Sequence, residues 1–343
     1  MKRIFLTLAV AASVLVGCQE NAKDEALPTQ EAIDMSDFYV ETEEVSHKGG
    51  SEQCHSMRVL NRQVKENPGL YKKMYNIEYA TRKLTTAKGK PGGGNNGGGD
   101  VDVAPIEDGL GTINIPVYVH VVLPNANSVS DSQIQAQMNV LNDDFSNPNT
   151  NQLPSGASDF INDATDTGIQ FTLAGTFRHD DSRSSWGTND AVKAAYPPIT
   201  PETHLNVWVC EIGGGILGYA QFPGGSSSTD GVVLLAGTLP GGSSAPYNMG
   251  RTATHEVGHY LNLRHIWGDG RCRQDDFVAD TPSSDASNYG CPTYPDVSCK
   301  SADMTMNYMD YTNDACMYMF TDGQRNRMRA LFASGGARDS MLN

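Results

Sequence analysis

Hydrophobic and polar positions follow the periods of strands and helices over most of the chain. Apolar side chains alternate with polar ones across residues 112–123, and similar stretches follow at 169–174 and 204–211. Residues 130–145 carry a helical pattern, which Ser130 is suited to cap. Because strands and helices are interspersed, the pattern predicts a mixed α/β domain.

Two further elements complete this domain. Residues 231–239 are apolar and bounded by turn residues, which predicts a strand. We expect it at the sheet edge, where it would pair with an extended peptide. Thr321 and Gln324 form a capping box that opens a final helix.

The chain ahead of this domain has a different pattern. From residue 51 the sequence becomes helical, since Leu70, Met74 and Ile77 are spaced four and three apart and Asn67 suits an N-cap. This predicts two short helices. Residues 89–100 are rich in Gly and Asn and predict a flexible, cleavable linker.

The first residues are typical of an export signal. Lys2 and Arg3 precede a short apolar run, and Leu15 to Cys18 (LVGC) resemble a bacterial lipobox, in which Cys18 would carry the lipid. The alternative is a plain signal peptide with a chance cysteine. Export implies an oxidising compartment, where the other six cysteines can form disulfides.

The charge narrows the range of partners. The formal net charge of −15 over 343 residues argues against a nucleic-acid partner. Lys and Arg outnumber Asp and Glu across residues 51–90, whereas the reverse holds across 91–343. We therefore expect the basic segment to dock on the acidic body.

The segment RTATHEVGHYLNLRHIWGD carries a candidate metal site. His255 and His259 are four residues apart and lie on one helix face. A continuing helix would rotate His265 by about 240° from His259, so the helix must end between them, and Asn262 tolerates the required φ > 0. Three neutral imidazoles leave a fourth zinc position open, as in catalytic zinc sites. Glu256 is then the predicted general base.

This spacing resembles the HExxHxxGxxH pattern of metzincin peptidases, with Asn262 in place of Gly. Downstream, MNYMDYTNDAC resembles their Met-turn. The resemblance implies that Met309 forms the floor beneath the imidazoles and that Tyr311 stabilises the oxyanion of the transition state. A buried core Met and Tyr is the alternative.

Further segments resemble the pappalysin family, in particular its cytophagalysin-like bacterial branch. They are GYAQFPGG, DGVV, HIWGD, VADTP and FTDGQ, and the resemblance covers residues 51–335. It implies an α/β (α+β) metzincin catalytic domain, with a mixed five-stranded twisted sheet, an active-site helix and a Met-turn, preceded by a short helical prosegment. It also implies a zinc endopeptidase.

The loop after the metal motif contains four cysteines, for which sequence alone permits three disulfide connectivities. The family pattern implies Cys272 with Cys299 and Cys291 with Cys316. Four zinc-binding thiolates are the alternative.

Hard oxygen ligands cluster in the same loop, at Asp275, Asp276, Asp280 and Thr281. Relatives hold calcium there, so Asp276 and Thr281 are the candidate ligands, with the Ala279 carbonyl. A solvated acidic loop is the alternative.

Family precursors place a cysteine before the catalytic body as a fourth zinc ligand, and Cys54 is the candidate here. The alternatives are His55 as the ligand, a disulfide between Cys54 and Cys210, or two free thiols without a role. Asp314 follows the Met-turn, where the clan builds the substrate pocket, and predicts a preference for Arg or Lys after the scissile bond. Capping of a local turn is the alternative role of Asp314.

These readings divide the chain into a signal peptide (1–17), a lipidated acidic tether (18–50), a helical prosegment (51–88), a Gly-rich linker (89–104) and a zinc-protease domain (105–343). The predicted partners are protein or peptide substrates and, before activation, a membrane through the lipid, with the catalytic domain then released outside the cell. A non-catalytic surface-binding lipoprotein and a zinc amidase acting on non-protein amides are the alternative functions.

Overall fold

The computed structural model describes residues 33–40, 52–86, 103–153, 157 and 160–342. The predicted signal peptide, Cys18 and most of the predicted linker lie outside these residues. Residues from Met35 onward form one structural unit, which holds every element described below. Within the described part, no helix is both long enough and apolar enough to cross a membrane.

The unit contains seven strands and six α-helices in its described residues. The strands are β1 (Ile113–Leu123), β2 (Ile169–Asp180), β3 (Leu205–Cys210), β4 (Gly218–Ala220), β5 (Val232–Leu235), β6 (Val297–Ser298) and β7 (Ser301–Ala302). The helices are α1 (Ser56–Glu66), α2 (Gly69–Thr86), α3 (Asp131–Ser146), α4 (Ala191–Ala195), α5 (Arg251–Tyr260) and α6 (Asp322–Ala330).

The main sheet has five strands in the order β2-β1-β3-β5-β4. β2, β1, β3 and β5 run parallel, and β4 pairs antiparallel with β5. The expected mixed five-stranded sheet is therefore confirmed. β2 continues beyond its predicted end because the long strand β1 pairs with it as far as Asp180.

The edge of this sheet is not the strand that the sequence indicated. β5 pairs with β3 on one side and with β4 on the other, so the prediction of an edge strand at 231–239 was wrong. The edge strand next to β5 is β4, which has only three residues, and β2 forms the opposite edge. A strand this short shows no recognisable alternation in the sequence.

Helices α3 and α5 pack against one face of the sheet. Val119 and Val209 from the sheet, Leu141 from α3 and Val257 from α5 belong to one buried apolar cluster. The predicted cap of α3 is confirmed, since Ser130 accepts a hydrogen bond from the N–H of Gln133. The capping box at the start of α6 is also present.

A buried carboxylate joins α3 to the segments that carry the candidate site. Asp144 Oδ2 accepts a hydrogen bond from Thr254 Oγ1 at 2.6 Å, and Oδ1 accepts one from the Tyr308 hydroxyl at 3.0 Å. The guanidinium of Arg251 lies 3.3 Å from Oδ1. This network fixes α5 and the Met-turn segment relative to the sheet.

The two predicted helices before the domain are present, and they pack on it. Met57, Leu60, Leu70 and Met74 share an apolar cluster with Phe222 of the catalytic domain. Apolar burial of this kind is the main contribution to docking.

Ion pairs also connect the two helices to the domain. The expectation that the helices supply the positive charges holds for only some of these pairs. Arg62 of α1 pairs with Asp190, as expected for a basic segment on an acidic body. In the pair between α2 and α6, however, Glu78 supplies the negative charge and Arg327 the positive one. Burial raises the pKa of Glu78, but the charges and hydrogen bonds of Arg327 and Arg82 together outweigh this effect and lower that pKa to about 2.

Part of the predicted tether is also packed. Within residues 18–50, Val40 is buried in the same apolar cluster as Met57 and Phe222. The expectation of an unpacked tether was therefore wrong for residues 35–40. The segment as a whole is acidic, and the prediction rested on that average composition. It therefore gave too little weight to the short apolar stretch at Phe38, Tyr39 and Val40.

Candidate active site and metal centre

Helix α5 and the turn after it bring three histidines together. His255 and His259 lie one turn apart on α5, which ends at Tyr260. Asn262 then takes a left-handed conformation with φ of 73°, which reverses the chain and returns His265 to the same point. The predicted break of the helix before His265 is confirmed.

The three imidazoles present their Nε2 atoms to one another. His259 Nε2 lies 3.1 Å from Nε2 of both His255 and His265. Each Nδ1 has its own acceptor: the Tyr308 carbonyl for His255 and the Leu263 carbonyl for His259, both at 2.8 Å, and Asp269 Oδ1 for His265. With the proton on Nδ1, all three Nε2 lone pairs point into one volume.

This donor set fits a zinc ion. Nitrogen ligands at the usual zinc distance lie about 3.3 Å from one another in a tetrahedral site, close to the separations found here. Burial lowers the pKa of His255 to about 3 and also lowers that of His259, so both rings are neutral as ligands must be. Cys54 Sγ and the three Nε2 atoms all lie within 4.8 Å of one another, which makes four candidate donors.

Asp269 is a residue that the sequence analysis missed. Its carboxylate accepts the hydrogen bond from His265 Nδ1 and thereby fixes the orientation of that ring. Asp269 lies four residues after His265, in the HIWGD segment, and has φ of 56°. The available signal was a carboxylate only four residues after the candidate ligand His265. The spacing alone could not show that this carboxylate lies within hydrogen-bond distance of the imidazole.

Glu256 lies at the metal site and contacts the prosegment. Its Oε2 accepts a hydrogen bond from Ser56 Oγ at 2.7 Å and lies 3.4 Å from Cys54 Sγ. A Cβ at Gly218 of the edge strand would lie 2.9 Å from Glu256 Cγ, so only glycine allows the strand to approach this closely. Burial raises the pKa of Glu256 to about 7, although the Ser56 hydrogen bond opposes this shift.

The Met-turn residues lie below and beside the histidines. Met309 is fully buried, and a Cβ at Gly258 of α5 would collide with its sulfur. Tyr311 has its ring 5.0 Å from that of His265. Its hydroxyl donates to the Cys54 carbonyl at 3.3 Å.

The prosegment runs along the sheet edge at this point. Cys54 pairs with Gly218 of β4 in the parallel sense. On either side of it, the Leu217 N–H donates to the Gln53 carbonyl at 2.8 Å and the His55 N–H donates to the Gly218 carbonyl at 3.2 Å. Residues 53–55 therefore occupy the edge that an extended peptide would use.

The structure shows neither His55 as a metal ligand nor a disulfide between Cys54 and Cys210. His55 Nδ1 lies 3.1 Å from Thr188 Oγ1, and this histidine is not among the four donors at the metal site. Cys54 and Cys210 are both free thiols and belong to different apolar clusters.

One disulfide closes the loop between α5 and the Met-turn, and a second joins this loop to the end of the Met-turn segment. They join Cys272 with Cys299 and Cys291 with Cys316, as the family pattern implied. The alternative of four zinc-binding thiolates is therefore wrong, because a sulfur in a disulfide is not a thiolate ligand.

The candidate calcium residues are only partly brought together. Thr281 Oγ1 lies 2.9 Å and 2.8 Å from the two carboxylate oxygens of Asp276, whose pKa is raised by burial and then by Asp275. Asp280 turns away, because its carboxylate accepts hydrogen bonds from Thr321 Oγ1 and the Gly323 N–H at the start of α6.

Asp314 lies where both of its proposed roles are possible. It lines a cavity of about 30 Å³ next to the metal site, together with Met317. Its Oδ2 also accepts hydrogen bonds from the N–H groups of Met249 and Arg251, at 2.7 Å and 3.3 Å, where α5 begins. Burial raises the pKa of Asp314 to about 6, and these two hydrogen bonds oppose that shift.

We expect Asp269→Ala to weaken zinc binding by about 10- to 100-fold, because His265 would lose the acceptor that orients its ring. Competition of the purified chain with a chromophoric chelator measures this affinity. Asp143→Ala, which changes an exposed aspartate, is the matched control. Equal zinc affinity in the two variants would contradict the orienting role of Asp269.

Comparisons with known proteins agree with this geometry. The family profile described as "Pregnancy-associated plasma protein-A" (Peptidase_M43) matches residues 189–333. An extracellular metalloprotease of Pyricularia oryzae is 37% identical over 235 residues, which cover 64% of this chain and 75% of the relative. One from Arthroderma benhamiae is 35% identical over 226 residues, covering 63% and 76%.

Two solved structures from Tannerella forsythia are similar to this chain. Mature mirolysin in complex with a cleaved peptide has a TM-score of 0.64 and 43% identity, covering 67% of this chain and 96% of its own. A promirolysin mutant has a TM-score of 0.71 and 36% identity, covering 85% and 97%. The precursor thus matches more of this chain than the mature form does. The chain belongs to the pappalysin (M43) family of metzincin metalloproteases.

Proposed function

We propose that this chain is the latent precursor of a secreted zinc endopeptidase in which Glu256 is the general base. The observation that carries the proposal is the convergence of three imidazole lone pairs beside the Glu256 carboxylate. His255, His259 and His265 would hold a zinc ion, which would supply Lewis acidity for the scissile carbonyl and the attacking water.

The protein groups around this site then have three separate roles in the proposed reaction. Glu256 accepts the proton of the attacking water and passes it to the leaving amine. The Tyr311 hydroxyl, freed from the Cys54 carbonyl, donates a hydrogen bond to the oxygen on which negative charge develops. The edge strand β4 pairs with the extended substrate and so places the scissile bond beside Glu256.

The two alternative functions have less support. A surface-binding lipoprotein without activity would not need a buried carboxylate beside three ligand histidines. An amidase for non-protein amides would not need an edge strand next to the base that can pair with an extended peptide. Mirolysin, a relative by structure, was solved with a cleaved peptide.

We expect Glu256→Ala to abolish cleavage of a peptide library by the chain after removal of its prosegment, while zinc content and the unfolding temperature are retained, because the carboxylate does chemistry without holding the metal. The matched control is Glu211→Ala, which removes an exposed carboxylate and should cleave normally. Full activity in Glu256→Ala would refute the mechanism.

Latency follows from three contacts of the prosegment. The Cys54 thiol lies among the candidate zinc donors, the Ser56 hydroxyl donates to the Glu256 carboxylate, and residues 53–55 pair with the edge strand. A Cys54 thiolate bound to the metal would take the place of the attacking water, and the strand pairing would exclude an extended substrate. Each contact blocks a different requirement of the reaction.

We expect Cys54→Ala to give the uncleaved precursor measurable peptidase activity, at least about tenfold above that of the original chain. Ser56→Ala should activate it less, because the thiolate remains. Activity is measured with a quenched peptide, and the intact mass of the chain is checked in parallel. If Cys54→Ala stays as inactive as the original chain while intact, Cys54 is not the inhibitory ligand.

Asp314 supports a preference for Arg or Lys immediately after the scissile bond. Its carboxylate lies on the wall of the cavity next to His255 and is buried, so a cationic side chain would compensate its charge. We expect Asp314→Asn to lower kcat/KM for Arg and Lys substrates by about tenfold and to leave apolar substrates unchanged. A cleavage profile dominated by apolar residues in both proteins would overturn the assignment.

Calcium binding by Asp276 and Thr281 is also proposed. The buried Asp276 carboxylate and the Thr281 hydroxyl bring three oxygen atoms together, and burial and the Asp275 charge raise the pKa of Asp276, an unfavourable effect on its charged form that a bound cation would relieve. Calcium should raise the unfolding temperature of the original chain but not that of Asp276→Asn. A calcium effect of equal size in both would show that the ion binds elsewhere.

Export is proposed with a lipid on Cys18. The homologous metalloproteases are extracellular, and the LVGC motif supports the anchor. Fatty-acid labelling that persists in Cys18→Ser would reject it.

A further inference from the structure

Residues 35–40 bind the catalytic domain at a place separate from the zinc ligands. The Tyr39 hydroxyl lies 2.5 Å from the Gly268 carbonyl and 2.7 Å from the Asp275 carbonyl, so its proton is shared between the two. Arg264 Nη2 donates to the Tyr39 carbonyl at 2.6 Å. Both the ring and the backbone of Tyr39 are thus recognised by polar groups.

Aromatic contacts complete this recognition. The guanidinium of Arg264 lies 4.3 Å from the centre of the Tyr39 ring and 4.8 Å from that of Phe277. The Tyr39 and Phe277 rings meet edge to face at 5.2 Å. Cation–π and edge-to-face contacts of this kind favour an aromatic side chain at position 39 over an aliphatic one.

The neighbouring residues join this segment to α2. The Phe38 ring packs edge to face on Tyr71 and Tyr75 at 5.7 Å and 5.5 Å. Asp37 forms a bidentate ion pair with Arg82, with the second contact at 3.2 Å. Residues 35–40 therefore contact both the prosegment and the catalytic domain.

We propose that Arg264, Phe277 and the carbonyls of Gly268 and Asp275 form a peptide-binding site whose ligand is residues 35–40 of this chain. This anchor site recognises an aromatic residue followed by tyrosine and an aliphatic residue. Its occupation keeps the prosegment bound after the linker has been cut, a consequence that rests on the proposed latency.

The anchor site differs from the inhibitory contact at Cys54 in what it binds and where. It recognises a phenol and a backbone carbonyl, whereas the zinc site takes a thiolate. Because residues 35–40 and Cys54 belong to one chain, binding at either site raises the effective concentration of the other, typically into the millimolar range. A cut in residues 89–104 leaves these two contacts joined, so the cleaved prosegment stays bound.

The site also reaches the metal centre through one loop. Gly268 and Asp275 lie at the two ends of the segment that carries Asp269, whose carboxylate orients His265. By holding both carbonyls, the Tyr39 hydroxyl closes this segment across its ends. Loss of Tyr39 should therefore loosen residues 268–275.

Peptide binding tests the proposal directly. A fluorescent, end-capped peptide of residues 35–40 is titrated against the full chain carrying Phe38→Ala and Tyr39→Ala, and against the full chain with its own anchor. Both chains also carry Glu256→Ala so that cutting cannot change the anisotropy. We expect saturable binding to the first chain only, and at least about tenfold weaker binding of the matched peptide with Tyr39→Phe, which lacks only the hydroxyl.

Three results would overturn the proposal: no binding to the chain without its anchor, equal binding to both chains, or equal affinity of the two peptides. If the double variant misfolds, the proposal is tested instead by comparing amide hydrogen exchange in the full chain with and without Tyr39→Phe. Amides of residues 268–276 should exchange at least about fivefold faster than in the original chain, while those of β3 stay unchanged. Unaltered exchange in residues 268–276 would reject the site, and neither readout depends on proteolytic activity.

Discussion

Three buried imidazole lone pairs that point into one volume repel one another unless a cation lies between them. This constraint accounts for much of the surrounding structure. His265 can join His255 and His259 only because Asn262 takes a left-handed conformation. The rings keep their orientation because each Nδ1 has an acceptor, and α5 can lie on Met309 only because Gly258 has no side chain.

The proposed latency depends on the same geometry. Cys54 approaches the three histidines, while Ser56 holds the carboxylate that would activate water. A second connection runs through α2, where Glu78 pairs with Arg327, and Arg327 Nε in turn donates to the Asn262 carbonyl at 2.8 Å. The prosegment thus contacts both the open side of the site and the turn that creates it. Its removal would leave Arg327 without its buried carboxylate partner, which is costly in free energy.

The sequence alone predicted the parts of the structure that depend on local spacing. The four-residue spacing of His255 and His259 determines one helix face, and the need to return His265 locates the turn at Asn262. The caps at Ser130 and Thr321 could be predicted because a cap involves only residues in the first turn of its own helix.

Contacts between distant segments could not be predicted in this way. The edge strand β4 is too short to show a period, and Asp269 and the Glu78–Arg327 pair become recognisable only when the chain is folded. Residues 35–40 were assigned to a tether because the composition of a long segment outweighed three apolar residues within it.

X-ray absorption at the zinc edge of the intact full-length precursor tests the central claim most directly. The account predicts three nitrogen ligands at about 2.0–2.1 Å and one sulfur ligand at about 2.3 Å. In Cys54→Ala the sulfur should be replaced by a light atom, with the three nitrogens retained. A precursor that binds zinc without any sulfur ligand would contradict the role of Cys54, and one with fewer than three imidazole ligands would contradict the metal centre itself.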